Sequence, residues 1–298
     1  MIDEVADKVS MVGHTVVPPD GHVHTEWSWD ADAGSMEQSC VRALKLGLAS
    51  IAFTEHADFT SWVIDPKDKA KLDPSEAAWV KPDGRLHPPP LAIDAYLECV
   101  QRCRERFPSL RILSGIELGE PHWHEGRVNS LLSISSVDRV LGSVHSLAAD
   151  GPWMVDHLVG RVDAGELMRA YLAEVFKLVE SSVNFIVLAH IDYPVRDWPA
   201  GAGGFDPGVF EEEYRYVLGA LARTGRALEL NTSVPLPGVI VRWWYEAGGE
   251  ALTFGSDAHE PSTVATGFSH AAAVAEACGF RPGRYAHDFW RRAGSSCV

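Results

Sequence analysis

The sequence is poor in positive charge. Its 298 residues carry 26 Lys and Arg against 41 Asp and Glu, which gives a formal net charge of −15. This deficit excludes a nucleic-acid-binding module, because few cations are left to neutralise phosphates. It does not exclude an anionic substrate, since bound divalent metal reverses the sign of the local field.

The sequence also lacks long apolar runs and cysteine pairs. No stretch approaches the roughly 18 apolar residues that span a bilayer, so no membrane partner is expected. Residues 1–7 are acidic and lack the basic-then-apolar order of a signal peptide. The five cysteines form no CxxC pair, which is typical of a reduced, cytoplasmic protein.

Short apolar runs alternate with longer amphipathic stretches. We predict strands at residues 16–23, 50–54, 111–116, 139–144, 185–189, 227–230 and 251–255. We predict helices near 35–47, 94–106, 164–182, 208–223, 238–247 and 261–278, with 117–138 the least helical connection. This alternation predicts a single α/β domain over residues 1–298 and favours a parallel βα barrel over a doubly wound sheet.

One segment interrupts the alternation. Residues 58–92 contain two Trp, several Lys and three consecutive Pro, and they follow the second strand. A long irregular insert after a barrel strand is a candidate lid or substrate loop, and the alternative is a solvated excursion.

Each predicted strand ends in a His, Asp, Glu or Asn, at the rim where barrel enzymes build their sites. In an extended His-x-His sequence the two imidazoles share a face, so His22 and His24 can hold one ion. Asp257 and His259 repeat this spacing after the last strand. Imidazole with carboxylate suits Zn, Mn or Fe. The candidates outnumber the ligands of one ion, so we predict two or three divalent metals.

The motifs resemble those of the PHP (polymerase and histidinol phosphatase) family, and the stand-alone histidinol-phosphatase branch most of all. The resemblance runs from about residue 17 to 280 and is carried by Asp20-Gly21-His22-Val23-His24, Phe53-Thr54-Glu55-His56, Gly115-Ile116-Glu117 and Gly255-Ser256-Asp257-Ala258-His259. Further branch features are Gly119-Glu120-Pro121-His122, Gly142-Ser143-Val144-His145, His190-Ile191-Asp192-Tyr193-Pro194-Val195-Arg196 and Glu229-Leu230-Asn231-Thr232-Ser233. It implies a distorted (β/α)7 TIM-like barrel with a trinuclear metal centre that hydrolyses a phosphate monoester.

The resemblance also implies the ligands of each metal. Those of the first metal are His22, His24, Glu117 and Asp257; Glu117 bridges to a second metal with His145 and His190; His56 and His259 hold the third. Asp30 stands where some relatives have a further His and is a tentative ligand. Glu55, Asp192 and Asn231 are available to orient the metal-bound rings.

The expected mechanism follows from charge. A hydroxide bridging two cations attacks phosphorus, since metal binding lowers the pKa of water to roughly 7. Arg196 is expected to stabilise the charge of the transition state. Asp257 and His259 complete the expected catalytic set, and the leaving alkoxide takes its proton from His259 or a metal-bound water. His122 and Asn231 are expected substrate contacts.

The expected substrate is a small phosphorylated molecule, L-histidinol phosphate. The branch commonly follows Asn-Thr-Ser with Gly and a basic residue, whereas this chain continues from Asn231-Thr232-Ser233 into Val234-Pro235. A PHP enzyme acting on another phosphate monoester or a phosphodiester is therefore the alternative. Less favoured are a metal-dependent amidohydrolase, whose bridging Lys has no counterpart at the strand ends, and a non-catalytic metal-binding domain.

Overall fold

Strands and helices alternate along the chain, as the sequence predicts. The computed structural model describes residues 17–69, 72 and 74–294. Within them the strands are β1 (Asp20–Val23), β2 (Ser50–His56), β3 (Trp62–Val63), β4 (Arg85–Leu86), β5 (Arg111–Gly119), β6 (Arg139–Ser143), β7 (Ser146–Ala148), β8 (Pro152–Met154), β9 (Val187–Leu188), β10 (Ala227–Asn231), β11 (Ala251–Gly255), β12 (Phe280–Arg281) and β13 (Trp290–Arg292). The helices are α1 (Met36–Leu46), α2 (Pro74–Ala77), α3 (Ile93–Arg106), α4 (Glu125–Ile134), α5 (Val155–Leu158), α6 (Ala164–Glu180), α7 (Glu211–Thr224), α8 (Gly238–Glu246) and α9 (Phe268–Ala277).

The main sheet is a curled row of parallel strands. Its order is β1-β2-β5-β6-β9-β10-β11, followed by β13, which runs antiparallel to β11, and β12, which runs antiparallel to β13. β1, β2, β10 and β11 are buried along their whole length, which is typical of parallel strands covered on both faces. The sheet matches the predicted α/β class.

The sheet closes into a barrel at the carboxyl ends of its strands. There His24 N donates to Ala258 O at 2.8 Å and Asp257 N donates to His22 O at 2.8 Å. At the other end β11 pairs instead with β13, Leu252 lying opposite Trp290. This one-ended closure confirms the distorted TIM-like barrel and places the ends of β1 and β11 side by side.

Local signals set the ends of the first helix. The Ser35 side chain accepts a hydrogen bond from Gln38 N before α1 begins. Gly47 follows the helix with φ of 75°, a left-handed conformation that glycine adopts without strain.

The structure corrects several predicted boundaries. The strand expected at 185–189 spans only Val187–Leu188, and the first residue of the strand expected at 16–23 lies outside the described residues. The helix expected at 261–278 is a 3-10 turn at 261–263 followed by α9, because Gly267 interrupts it with φ of 79°. The connection 117–138 does contain a helix, α4.

The described part of the insert at 58–92 has more regular structure than the sequence predicts. It contains the β3–β4 hairpin and α2. Trp62 is buried, and its indole N–H donates to Ser146 Oγ on β7 at 2.5 Å. Arg161 binds Asp65 at 2.8 Å and also pairs with Asp68. These contacts attach the insert to the β7–β8 hairpin and to the end of α5.

Across the described residues, no helix has the length and apolar content needed to cross a bilayer. The core lies between the barrel wall and its helices, with α6 contributing nine buried side chains. Asp163 begins α6 by accepting hydrogen bonds from Gly165 N and Glu166 N.

Candidate metal centre

The carboxyl ends of the parallel strands meet at the closed end of the barrel, and each brings polar side chains there. These side chains are His22, His24, Glu55, His56, Glu117, His145, His190, Glu229, Asn231, Asp257 and His259. All of them are buried except His259, which is partly exposed. The strand ends therefore create a buried ionisable cluster.

Four side chains form a first group. The Nε2 atoms of His22 and His24 lie 3.0 Å apart. Glu117 Oε2 lies 3.1 Å from His22 Nε2 and 3.3 Å from His24 Nε2, and Asp257 Oδ1 lies 3.4 and 3.2 Å from the same two atoms. Two ring nitrogens and two carboxylate oxygens that face one another suit a divalent metal of the Zn, Mn or Fe type.

Glu117 links this group to a second one. Its other oxygen, Oε1, lies 2.8 Å from His190 Nε2 and 3.3 Å from His145 Nε2. One nitrogen or oxygen atom from each of these three side chains lies within 4.8 Å of the other two, close enough for the three to hold an ion. The two oxygens of one carboxylate thus face two different groups, which is the arrangement expected of a bridging ligand.

A third group lies at the edge of the cluster. The rings of His56 and His259 pack beside His24, with centroids 4.1 and 4.3 Å from it. Asp30 Oδ2 lies 3.2 Å from His56 Nε2 and 3.5 Å from His259 Nε2. The structure therefore brings Asp30 to the position where the sequence suggested a tentative ligand.

Burial and mutual charge shift the pKa values in the cluster. Burial raises the pKa of Glu117, but the charges of His22 and His145 outweigh it and hold that pKa well below its usual range. Burial and the neighbouring imidazoles lower the pKa of His24 to about 4. The lowered pKa of Glu117 keeps its carboxylate ionised, as a metal ligand requires.

Arg196 supplies a fixed positive charge beside the first group. Its Nη2 pairs with Asp257 Oδ2 and lies 3.4 Å from Asn231 Oδ1. Burial raises the pKa of Asp257, but Arg196 and then His22 lower it well below its usual range. Asp257 itself has φ of 54°, a strained conformation for a residue with a side chain, which this pairing helps to hold.

A residue whose role the sequence interpretation missed, Glu229, orients the first ligand. Its Oε1 lies 2.7 Å from His22 Nδ1, while Oε2 accepts from His190 N at 2.9 Å and Asn231 Nδ2 at 3.1 Å. A Cβ at position 255 would overlap Oε1, so Gly255 leaves the space that this carboxylate needs. Glu229 lies two residues before Asn231, on the same face of the strand, and this spacing could have predicted that both side chains point to the site.

Glu55 orients a second ligand through an intermediary. It accepts from Ser28 Oγ at 2.6 Å and from Thr25 Oγ1 at 2.7 Å. Ser28 Oγ in turn lies 3.0 Å from His24 Nδ1. Asp192 was also expected to orient a metal-bound imidazole. Burial raises its pKa to about 7, and its Oδ2 has no hydrogen-bond partner among the described residues.

The structure does not bring His122 into the cluster. Its Nε2 lies 2.7 Å from Glu174 Oε1 on α6, which also accepts from the Trp123 indole at 2.7 Å. This pairing gives the imidazole a structural partner, and its substrate contact stays a prediction. Asn231, by contrast, lies beside Arg196 and donates to Asp257 Oδ2 at 3.3 Å.

A cavity opens over the cluster. Besides the candidate ligands, its lining includes Trp29, Asp58, Trp62, Met154, Tyr193 and Arg196. The cavity therefore combines candidate metal ligands, one arginine and an aromatic wall, and part of that wall comes from the 58–92 insert.

Known proteins share this sequence pattern and this fold. "Probable histidinol-phosphatase" from Deinococcus radiodurans is 30% identical over 271 residues, covering 86% of this chain and 91% of that relative. "Histidinol-phosphatase" from Lactococcus lactis is 23% identical, covering 80% of this chain and 83% of that protein.

Two solved structures have the same fold. The crystal structure of histidinol phosphate phosphatase from Lactococcus lactis, complexed with zinc, L-histidinol and phosphate, superposes with a TM-score of 0.75 at 21% identity over 92% of this chain and 99% of that one. A putative histidinol phosphatase from Listeria monocytogenes gives 0.67 at 19% identity, over 85% and 99%. The sequence profile of the PHP domain matches residues 20–233 of this chain. The chain therefore belongs to the PHP domain family.

Proposed function

We propose that this protein is a metal-dependent phosphatase that hydrolyses L-histidinol phosphate to L-histidinol and phosphate. The observation that carries the proposal is the bridging position of Glu117, whose two oxygens face two separate groups of candidate ligands. The names and extensive coverage of the relatives support the substrate. Two or three divalent ions, Zn, Mn or Fe, would supply an activated water and neutralise the phosphate charge.

The proposed ligands follow the three groups. His22, His24, Glu117 and Asp257 would hold one ion, and His145 and His190 a second one shared with Glu117. His56, His259 and Asp30 would hold a third. His259 Nδ1 lies 3.0 Å from Asp257 O, and donation to this carbonyl leaves Nε2 unprotonated, which favours a ligand over a proton donor.

Arg196 is the proposed phosphate-binding cation. Asp257 and Asn231 hold its guanidinium at the edge of the cavity. Its position is therefore fixed before substrate binds, and its N–H groups can donate to the phosphate oxygens as charge develops. Asp257 would in this way both bind metal and position Arg196. Asn231, which lies beside both side chains, would contact the substrate next to Arg196.

We also propose that the whole chain acts as one barrel domain and that residues 58–92 form its lid. Asp58 and Trp62 of this segment line the cavity over the cluster. The segment would restrict the access of water to the bound ester.

The test is phosphate release from L-histidinol phosphate by protein of measured metal content. We expect two or three metal equivalents and a turnover that His22→Ala abolishes. His287→Ala is the matched control, because His287 stacks on Tyr285 away from the cavity lining. A wild-type rate no higher than that of His22→Ala would refute the proposal.

A second candidate function is the hydrolysis of another small phosphate ester. Pro235, at the position where the branch carries a basic residue, lines a separate, largely apolar cavity with Thr232, Leu236 and residues of α9. Loss of that cation would weaken a contact to the usual substrate. A panel of phosphorylated metabolites distinguishes the two functions, since the preferred ester has the highest kcat/KM.

A further inference from the structure

Asp58 is a buried carboxylate in the cavity that the proposed mechanism leaves without a role. It is 5% exposed. Its Oδ2 accepts a hydrogen bond from the Trp29 indole at 2.9 Å, whereas its Oδ1 has no hydrogen-bond partner. A buried polar atom without a partner costs free energy, so it is typical of a site that a ligand completes.

The charge of Asp58 is poorly compensated by the protein. Among the described residues no Lys or Arg lies within 4.0 Å of its carboxylate, and its one recorded ion-pair neighbour is His56 Nδ1 at 3.7 Å. His56 is a proposed metal ligand, and ligating imidazoles are neutral. No fixed cationic side chain of the described residues therefore faces Asp58, and beside the proposed metals an ammonium group of the substrate can pair with its free oxygen.

The surroundings of Asp58 are aromatic. The ring centroids of Trp29 and Trp62 lie 5.6 Å apart, and both rings line the cavity with Asp58 and Met154. The Trp29 indole N–H donates to Asp58 Oδ2, and the low exposure of the carboxylate keeps water away, which strengthens its attraction for a cation. A carboxylate beside two indoles suits an ammonium group better than a hydroxyl.

The distance from the metal groups also fits an amine close to the ester. The ligand atoms of His56, Asp58 and His145 all lie within 4.8 Å of one another, so Asp58 is adjacent to the proposed metals. In a 2-amino alcohol phosphate three bonds separate the ester oxygen from the nitrogen, a span of roughly 3–4 Å from ordinary bond lengths. An amine bound by Asp58 would thus place the phosphate at the cluster.

We propose that Asp58, with Trp29 and Trp62, forms the subsite that selects phosphate esters with an ammonium group next to the ester carbon. This inference rests on the proposed phosphatase function and names the group by which the substrate is chosen. Arg196 and the metals would recognise the phosphate, and Asp58 would recognise the amine.

The test compares L-histidinol phosphate with its analogue that has hydrogen in place of the amino group. Wild type should prefer the amine by about 10- to 100-fold in kcat/KM, the range of a buried charged hydrogen bond. Asp58→Asn keeps the shape and should reduce this ratio to within about threefold of one. Asp83→Asn, an exposed change in the same segment, should keep the wild-type ratio.

Bound zinc is measured on the same proteins, because Asp58 has a rival role as a metal ligand beside His56 and His145. Loss of zinc in Asp58→Asn, or an equal fall in kcat/KM for both esters, would overturn the proposal. Calorimetric binding of L-histidinol and its deamino analogue to zinc-loaded protein needs no turnover. Suppose that wild type released no phosphate but bound L-histidinol more tightly than the deamino analogue, and that Asp58→Asn removed this difference. The proposed reaction would then be wrong and the proposed subsite would stand. Equal affinities of wild type for the two compounds would overturn the subsite.

Discussion

Replacing Glu229 by Gln is the sharpest test of how the metal centre is held. Glu229 is fully buried and accepts three hydrogen bonds, from His22 Nδ1 at 2.7 Å, His190 N at 2.9 Å and Asn231 Nδ2 at 3.1 Å. The carboxylate thus keeps the proton of His22 on Nδ1 and leaves Nε2 free to bind metal.

A glutamine cannot satisfy this arrangement in either orientation. If its oxygen accepts from His22 Nδ1, its amide N–H groups face two other donors, His190 N and Asn231 Nδ2. If it is flipped, the amide donates to His22 Nδ1, and the imidazole proton moves to Nε2, where it blocks the metal. Either way one charged hydrogen bond is lost, worth about 1.5–3 kcal/mol.

We therefore expect Glu229→Gln to weaken metal binding by about 10- to 100-fold, the usual effect of losing such a partner. Competition with a chromogenic chelator measures the affinity, and phosphate release is expected to fall in parallel at limiting metal. Glu174→Gln is the matched control, because Glu174 also lies 2.7 Å from a histidine nitrogen, His122 Nε2, outside the cluster. Unchanged metal affinity in Glu229→Gln, or an equal loss in Glu174→Gln, would refute the reasoning.

Three further outcomes follow from the same cluster. Chelation should abolish phosphate release and lower Tm by about 5 °C or more, since a ligand at a hundredfold its Kd adds about 2.7 kcal/mol; an unchanged melting curve would contradict this. Metal binding should release protons and tighten with rising pH: burial lowers the pKa of His22, but Glu229, Asp257 and Glu117 hold it well above its usual value, so metal must displace a proton. Without metal, that raised pKa stabilises the fold below about pH 6.5, and the contribution is lost as pH rises through the folded pKa; calorimetry in buffers of different ionisation enthalpy counts the protons. Arg196→Ala should lower kcat about 100-fold with bound zinc retained, and the kcat of Arg196→Lys should lie between those of wild type and Arg196→Ala. An effect on KM alone would instead assign Arg196 to ground-state binding.

The candidate ligands were predictable because barrel topology does most of the positioning. Parallel strands bring their carboxyl ends to one rim whatever lies between them, so the residues at the strand ends predict a cluster. The resemblance to the PHP family implied how that cluster divides among the metals. His22 and Asp257 are far apart in sequence, yet β1 and β11 close beside each other through His24 N and Ala258 O. Asp30 follows a strand by several residues, and only the structure brings it to His56.

The contacts that orient the ligands were not predictable in the same way. Glu229 reaches His22 across 207 residues, and the choice depends on the side-chain volume that Gly255 leaves open. The β7–β8 and β12–β13 pairs have strands of two or three residues, which is too short for the alternation of apolar and polar residues to be recognised in the sequence. The sequence does not distinguish Asp58 from the other polar residues of the 58–92 insert, because its separation from Lys and Arg side chains depends on packing.

These differences separate the chemistry of the barrel from the choice of its substrate. Apart from Asp30, the candidate ligands lie on strands or within four residues of a strand end, and the sheet fixes the register of those strands. A substitution there therefore changes metal binding first. Asp58, Trp62 and Met154 lie beyond the strand ends, on the insert and the hairpin that it contacts. A change there leaves the sheet register intact. On our proposals it therefore alters which phosphate ester is preferred more than it alters the rate of phosphate hydrolysis itself.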